Sequence, residues 1–303
     1  MTPPPKIQPG DPDGDYPLNE QHSADFNVGG VNRILPPAQQ LDQLISYLDA
    51  AYPRPDFTPP WKGGAGDPEP ADRYVALLPD RITHAALMML GTAADHTMPG
   101  VAFAGDVESQ EVPGGVVFTP SNPTGRWAVS LHSGGWWRGS GDALDHQWRP
   151  EVAAAAELSG TTILDLDHPL APEHTVAEIS AFVADAVGWV RGQGAESVTA
   201  WGYSSGAALA AMQSELVDAL ILTYPDLGSV AGLPDELRAD AVVPEPAAWP
   251  TKTLVQIATE DEIALRPDTG GAQVAEYLSQ HRISTPEVAR QRIRDTAEFL
   301  RGV

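Results

Sequence analysis

The chain of 303 residues contains no cysteine. That excludes disulfides, thiolate metal sites and a cysteine nucleophile. Basic residues are scarce. Eighteen Lys and Arg stand against 41 Asp and Glu, a formal net charge of -23 at pH 7. Such a surface repels phosphate backbones and anionic bilayers, so no nucleic acid partner is expected. No apolar run reaches membrane-spanning length, so no membrane insertion is expected either. The first residues, MTPPPKIQPGDPDGDYP, lack the apolar stretch of a secretory signal, and the expected location is cytoplasmic. No His/Asp/Glu spacing matches H-E-x-x-H or an EF-hand, and the glycine-rich stretch GWWRGSG lacks the lysine of a phosphate-binding loop. Neither a metal nor an organic cofactor is expected.

What is present is a 42% hydrophobic chain, enough for one large domain with an appendage. Proline is unevenly spread. Fourteen of 29 prolines fall in residues 1–70, so residues 1–35 and 53–72 are expected to be extended or irregular. Between them, Leu41, Leu44, Ile45 and Leu48 recur at helical spacing. They predict an amphipathic helix begun near Pro36-Pro37 and stopped before Pro53. A second helix is expected over Asp80–Leu90, with Ile82, Ala85, Ala86 and Met89 along one face. These helices show no obvious core of their own. They are expected to pack on the rest of the chain as an N-terminal cap spanning residues 1–100.

From residue 101 the pattern changes to short apolar runs alternating with helical periods. VESQEV, GGVVFTP, RWAVSLH, TTILDLD, SVTAW, ALILT and TLVQIA read as strands. RPEVAAAAELSG, VAEISAFVADAVGWVRGQ, GGAQVAEYLSQ and PEVARQRIRDTAEFL read as helices. The sheet is expected to end at or just after Thr253–Ala258, with a helix over Gly271–Gln280. Alternation of this kind predicts an α/β fold for residues 101–303, a mostly parallel sheet flanked by helices.

Within SVTAWGYSSGAALAAM the strand turns abruptly into a helix through Gly202-Tyr203-Ser204-Ser205-Gly206. Small residues there are compatible with an ordinary strand–helix turn capped by serine. They also fit a nucleophile elbow, in which a tight bend pushes the Ser204 hydroxyl clear of the sheet toward a histidine. A second glycine-rich stretch, LHSGGWWRGS, directly follows the strand ending at Leu131. The N–H groups of Gly134 and Gly135, with that of Ser205, are candidates to hold a developing oxyanion. Only one histidine, His281, follows Ser204, which makes it the candidate base. After TLVQIA come Glu260, Asp261 and Glu262, three candidates for the carboxylate that orients it. Trp61, Trp136, Trp137 and Trp148 are candidates for a pocket wall or simply for core packing.

Taken in order, these motifs resemble those of α/β-hydrolases of the hormone-sensitive-lipase-like esterase family. Its H-G-G-G-aromatic loop followed by G-S corresponds to His132, Ser133, Gly134, Gly135, Trp136, Gly139 and Ser140. Its Y-R-L-A-P-E-H signature corresponds to HPLAPEH, residues 168–174, and its G-D-S-A-G-G elbow to Gly202–Ala207. The resemblance covers roughly residues 105–301. Ser133 replaces a glycine, Tyr203 an acidic residue, and His168 and Pro169 the tyrosine and arginine. The resemblance implies an α/β-hydrolase fold and cleavage of a small-molecule carboxylic ester with a short acyl chain, without a cofactor. Ser204, Asp261 and His281 would be the catalytic residues, and Gly134, Gly135 and Ser205 the oxyanion hole. An acyltransferase or amidase with the same site stays open, as does a dead binding protein. The interval of 20 residues from Asp261 to His281 is short for the family and favours the last. A homo-oligomer is compatible with the sequence.

Overall fold

A computed structural model of the chain describes residues 26–28, 31–33, 35–91 and 94–303. The expectation for residues 1–35 lies almost wholly outside the described residues. β1 (Phe26–Val28) and β2 (Val31–Arg33) pair antiparallel. Then follow α1 (Pro37–Ala51), α2 (Glu69–Ala76), α3 (Leu78–Leu90) and the short α4 (Pro99–Phe103). Residues 53–68 are irregular apart from one turn at Pro60–Lys62, and the expectation for 69–72 is corrected: α2 begins at Glu69, with a proline in its first turn, where a missing N–H costs nothing.

The first helix forms where the leucine spacing places it. Pro37 sits at its first position, where a missing N–H costs nothing. Leu41, Leu44 and Leu48 are essentially fully buried, each contributing about 1.5–3 kcal/mol of apolar burial. The expectation that these helices lack a core is corrected. α1 packs on α3 and joins Tyr74, Val75, Ile82 and Ala86 in a cluster closed by Ala143 and Ile283 from the rest of the chain. The partners of each apolar face come from helices separated by the irregular stretch, so neither face alone shows the cluster.

The remaining strands form one sheet: β3 (Glu108–Val112), β4 (Gly115–Thr119), β5 (Trp127–Leu131), β6 (Thr162–Leu166), β7 (Val198–Tyr203), β8 (Ala219–Thr223), β9 (Thr253–Ala258) and β10 (Gln273–Tyr277). Their order is β10-β9-β8-β7-β5-β6-β4-β3. Every pair from β6 to β10 in that order is parallel, and β4 alone runs against the others, pairing antiparallel with both β6 and β3. β6, β7, β8 and β9 are buried along their whole length, as expected of parallel strands covered on both faces. The covering helices are α5 (Arg149–Ser159), α6 (Val176–Gly192), α7 (Ser205–Ala211) and α9 (Pro286–Arg301), with a minor turn α8 (Asp235–Arg238). α6 starts at a reciprocal capping box between Thr175 and Glu178. Among the described residues no helix is long and apolar enough to cross a membrane.

The expected helix over Gly271–Gln280 is absent, and the sheet does not end at β9. Residues 273–277 form β10, in parallel register with β9 from Gln273↔Leu254 to Tyr277↔Ala258. The five residues carry a period of two, with Ala275 and Tyr277 turned to the core and Val274 and Glu276 outward. Gly270 and Gly271, both at positive φ, break the chain just before the strand and deny a helix its first turn. Residues 259–272 cross from β9 to β10 without any helix, where parallel strands ordinarily use one.

Candidate active site

Ser204 lies immediately beyond β7, between strand and helix. Its backbone is at φ 59, ψ -118, a region that non-glycine residues occupy only under tertiary constraint. The bend is tight enough to forbid side chains beside it. A Cβ on Gly202 would lie 2.0 Å from the Gly206 carbonyl oxygen, and one on Gly206 would lie 2.4 Å from those of Leu131 and His132. The small residues are therefore required by close packing, not by capping: Ser204 makes no side-chain cap bond.

His281 Nε2 is 2.9 Å from Ser204 Oγ, and His281 Nδ1 is 2.8 Å from Asp261 Oδ2. Asp261 is thus the carboxylate on the imidazole. Glu262 instead accepts the backbone N–H of His281 at 2.9 Å, and Glu260 is exposed. Burial pushes the Asp261 carboxyl up. The His281 hydrogen bond and charge, with the N–H groups of Ala264 and Ile263, outweigh that and hold it below its ordinary value. The 20-residue interval has a simple geometry. Asp261 lies three residues past the end of β9 and His281 four past the end of β10. Because the two strands are parallel neighbours in register, both side chains emerge at one edge, beside Ser204.

β5 is the other neighbour of β7, with Leu131 opposite Gly202. The stretch that follows it therefore lies along the elbow. The Gly134 N–H has no acceptor among the described residues. Ser205 opens α7, so its N–H has no acceptor within the helix. The Gly135 N–H donates to Ser205 Oγ at 2.9 Å, a tie between loop and elbow. The HPLAPEH stretch braces the same loop. The Ala171 N–H donates to the Trp136 carbonyl at 2.8 Å, and the His168 ring stacks on His132 with centroids 3.9 Å apart. Asp72 of α2 accepts the Gly139 N–H at 3.0 Å and lies 3.5 Å from Arg138. The N-terminal helices are thereby fastened to the loop.

Ser204 and His281 open into a cavity of about 760 Å³. Phe57, Trp61, Val75 and Leu78 from the N-terminal part line it, together with Trp136 and Trp137 from the loop after β5. Trp148 is not in the wall. It is buried between Trp201 and Tyr203 and donates to Ser130 Oγ.

Several residues at the site carry no sequence signal. Tyr203, where the resembling family has an acid, stacks on the His281 ring at 5.4 Å, and its hydroxyl donates to the His281 carbonyl. Asp226 lines the cavity and donates its N–H to the Ser204 carbonyl at 3.2 Å; burial raises its carboxyl. Phe57, Arg138 and Arg282 line the cavity as well. Each depends on a partner far away in sequence, so no local pattern marks it.

No protein-family model and no curated protein matches the chain. Solved structures do. A double mutant of the esterase E40 superposes with a TM-score of 0.57 at 17% identity, covering 88% of this chain and 99% of that one. An esterase from the bacterial hormone-sensitive lipase family gives 0.55 at 16% identity, over 88% and 99%. Carboxyl esterase 2 from the mycorrhizal fungus Tuber melanosporum gives 0.51 at 15% identity, over 65% and 87%. At these identities the likeness is one of architecture, and the chain has the α/β-hydrolase fold.

Proposed function

We propose that the protein is a carboxylesterase-like serine hydrolase that cleaves small-molecule carboxylic esters through an acyl-enzyme. The observation that carries this reading is the continuous relay from Ser204 Oγ through His281 to Asp261, at 2.9 and 2.8 Å. His281 takes the Ser204 proton as the oxygen attacks the ester carbonyl, and ionised Asp261 holds the ring and stabilises the imidazolium. The N–H groups of Gly134 and Ser205 receive the oxyanion. The Gly135 N–H joins them by turning from Ser205 Oγ. His281 then protonates the leaving alkoxide, and a water activated by the same ring releases the acid. No cofactor enters these steps.

Acyl chains are proposed to be short, because Trp136 and Trp137 stand beside the loop that would receive the carbonyl. The N-terminal helices act as a cap in this reading, since Phe57, Val75 and Leu78 close one side of the cavity. The short spacing that favoured a dead site is accounted for by the β9–β10 register. Hydrolysis of p-nitrophenyl acetate, butyrate and octanoate tests the proposal. Ser204→Ala is expected to lower kcat about 10⁴-fold or more with the fold retained. Undiminished turnover in that variant, or none in the native protein, contradicts it. A competing alcohol in the assay separates hydrolysis from acyl transfer.

A further inference from the structure

Two arginines face the cavity from beside the reacting groups. Arg138 comes from the loop that carries Gly134 and Gly135, and Arg282 directly follows His281. They share one aromatic ring: the Arg138 Cζ is 4.8 Å and the Arg282 Cζ 4.1 Å from the Phe57 centroid. A guanidinium donates in its own plane, so a ring stacked on its face leaves its N–H edges available.

Among the described residues the two arginines have one paired carboxylate between them. Arg138 is 5% exposed and has Asp72 at 3.5 Å, but that carboxylate is shared with the Gly139 N–H. Arg282 is half-buried and makes no hydrogen bond or ion pair among the described residues. The Glu262 carboxylate is within electrostatic range of Arg282 without pairing with it, and it is engaged on the His281 N–H. Burial and the Arg282 charge hold the Arg138 guanidinium down at about 10, and burial lowers Arg282 as well. Both groups are still cations at neutral pH. Two partly desolvated cations with one shared carboxylate are costly to keep together, and the cost falls on a chain whose net charge is -23. The remaining charged wall residues are Lys62, Asp226, Glu245, Arg266 and Asp268. Arg266 is paired with Glu276 outside the wall.

We infer that the ester this cavity accepts also bears a carboxylate, which Arg282 and Arg138 receive beside the Phe57 ring while Ser204 attacks the ester carbonyl. A carboxylate presents two acceptor oxygens to the planar fork of a guanidinium, a geometry that lysine does not match. The inference names the substrate class for the ester-hydrolase reading above and rests on it. The anion site itself can be tested without catalysis.

The probes are monomethyl glutarate and dimethyl glutarate, titrated calorimetrically into the Ser204→Ala protein. The acid is expected to bind about 10-fold or more tightly than the diester, as charge-assisted hydrogen bonds imply. Adding Arg282→Met is expected to bring the two within about twofold, and Arg282→Lys to give an intermediate ratio. Thermal unfolding verifies that each variant is folded. Because Arg138 is buried against Asp72, Arg282 carries the test if Arg138→Met does not fold. In the native protein, kcat/KM is compared for p-nitrophenyl hydrogen glutarate against its methyl ester, and for para-acetoxybenzoate against its methyl ester. The pair in which the acid is preferred shows whether the carboxylate belongs to the acyl or the alcohol part. Equal or weaker binding of the acid overturns the inference, as does a preference that survives Arg282→Met. Tight binding of the acid with no hydrolysis of any ester supports the anion site and contradicts the hydrolase reading. Hydrolysis of neutral esters with no preference for either acid overturns the inference alone.

Discussion

Gly134→Ala removes the space on which the glycine loop after β5 depends, the loop proposed above to receive the oxyanion. Gly134 is at φ +144, and a Cβ placed there would lie 1.7 Å from the Arg138 carbonyl oxygen and 2.5 Å from its carbonyl carbon. Both contacts are to backbone, so no rotamer change relieves them, and the loop must move. Movement displaces the Gly134 N–H, a proposed oxyanion donor, and disturbs the Gly135 N–H, which is tied to Ser205 Oγ. Loss of one oxyanion donor lowers kcat about 10²–10³-fold, or roughly 2.7–4 kcal/mol of transition-state stabilisation. Gly141 supplies the control a few residues on. It too has positive φ, at +59, but a Cβ there meets nothing within 4 Å. Gly141→Ala carries only the left-handed backbone cost, about 1–2 kcal/mol of stability. Steady-state hydrolysis of p-nitrophenyl butyrate, paired with thermal unfolding, reads both effects. The expected outcome is a folded Gly134→Ala protein with kcat reduced at least about 100-fold, and a Gly141→Ala protein with kcat within about twofold of native. Native kcat in Gly134→Ala, or equal losses in the two variants, refutes the reasoning.

Other substitutions probe the supports of His281 and of the loop. Tyr203→Phe leaves the His281 carbonyl without its hydroxyl donor while keeping the ring stack. It is expected to lower stability by about 1–3 kcal/mol and to reduce kcat more than it raises KM, measured by chemical denaturation and ester kinetics. Asp261→Asn keeps a hydrogen-bonding group on His281 Nδ1 but removes the charge. A loss of about 10³–10⁴-fold in kcat is expected, against little change for Glu262→Gln, whose carboxylate meets only the backbone. His168→Phe tests the pH dependence of stability. His132 and His168 are buried and stacked, and burial lowers both, His132 further through the charge of His168. The unfolded chain therefore binds more protons below about pH 6.5 than the native chain, and native stability is lost as pH falls from that value. Asp165, pushed up to about 7 by burial, titrates in the opposite sense but is present in both proteins. The variant is expected to lose less stability than native between pH 6.5 and 5.5, by up to about 1 kcal/mol. Parallel stability curves contradict the assignment.

The parts of the site carried by short contiguous stretches were legible in the sequence. The bend at Ser204 and the glycine loop at 134–135 each show within a few residues, whereas residues 260–262 offered three carboxylates, and only the resemblance pointed to Asp261, the one that meets His281 Nδ1. The parallel strands were equally plain, because strands covered on both faces read as apolar runs such as TLVQIA and ALILT. β10 was misread as a helix. Its five residues are too few for periodicity to decide, and the alternation of Ala275 and Tyr277 inward is visible only once β9 is beside it. The N-terminal cluster was missed for a related reason, since Leu44 and Ala86 lie on helices separated by an irregular stretch. Tyr203 on His281, and Phe57 between Arg138 and Arg282, are contacts made across long intervals of chain. Charge and aromatic counts record that these residues exist, and only the fold says where they meet.

The central claim is that Ser204 is a nucleophile activated by His281. Incubation with a fluorophosphonate, followed by mass spectrometry of the digested protein, tests it without any assumption about substrate. The reagent reacts with an activated serine oxygen and mimics the tetrahedral adduct that the Gly134 and Ser205 N–H groups would hold. The account predicts a single stoichiometric adduct on the peptide containing Ser204, abolished by Ser204→Ala and strongly slowed by His281→Ala. A native protein that remains unlabelled, or one labelled on a different residue, would contradict it.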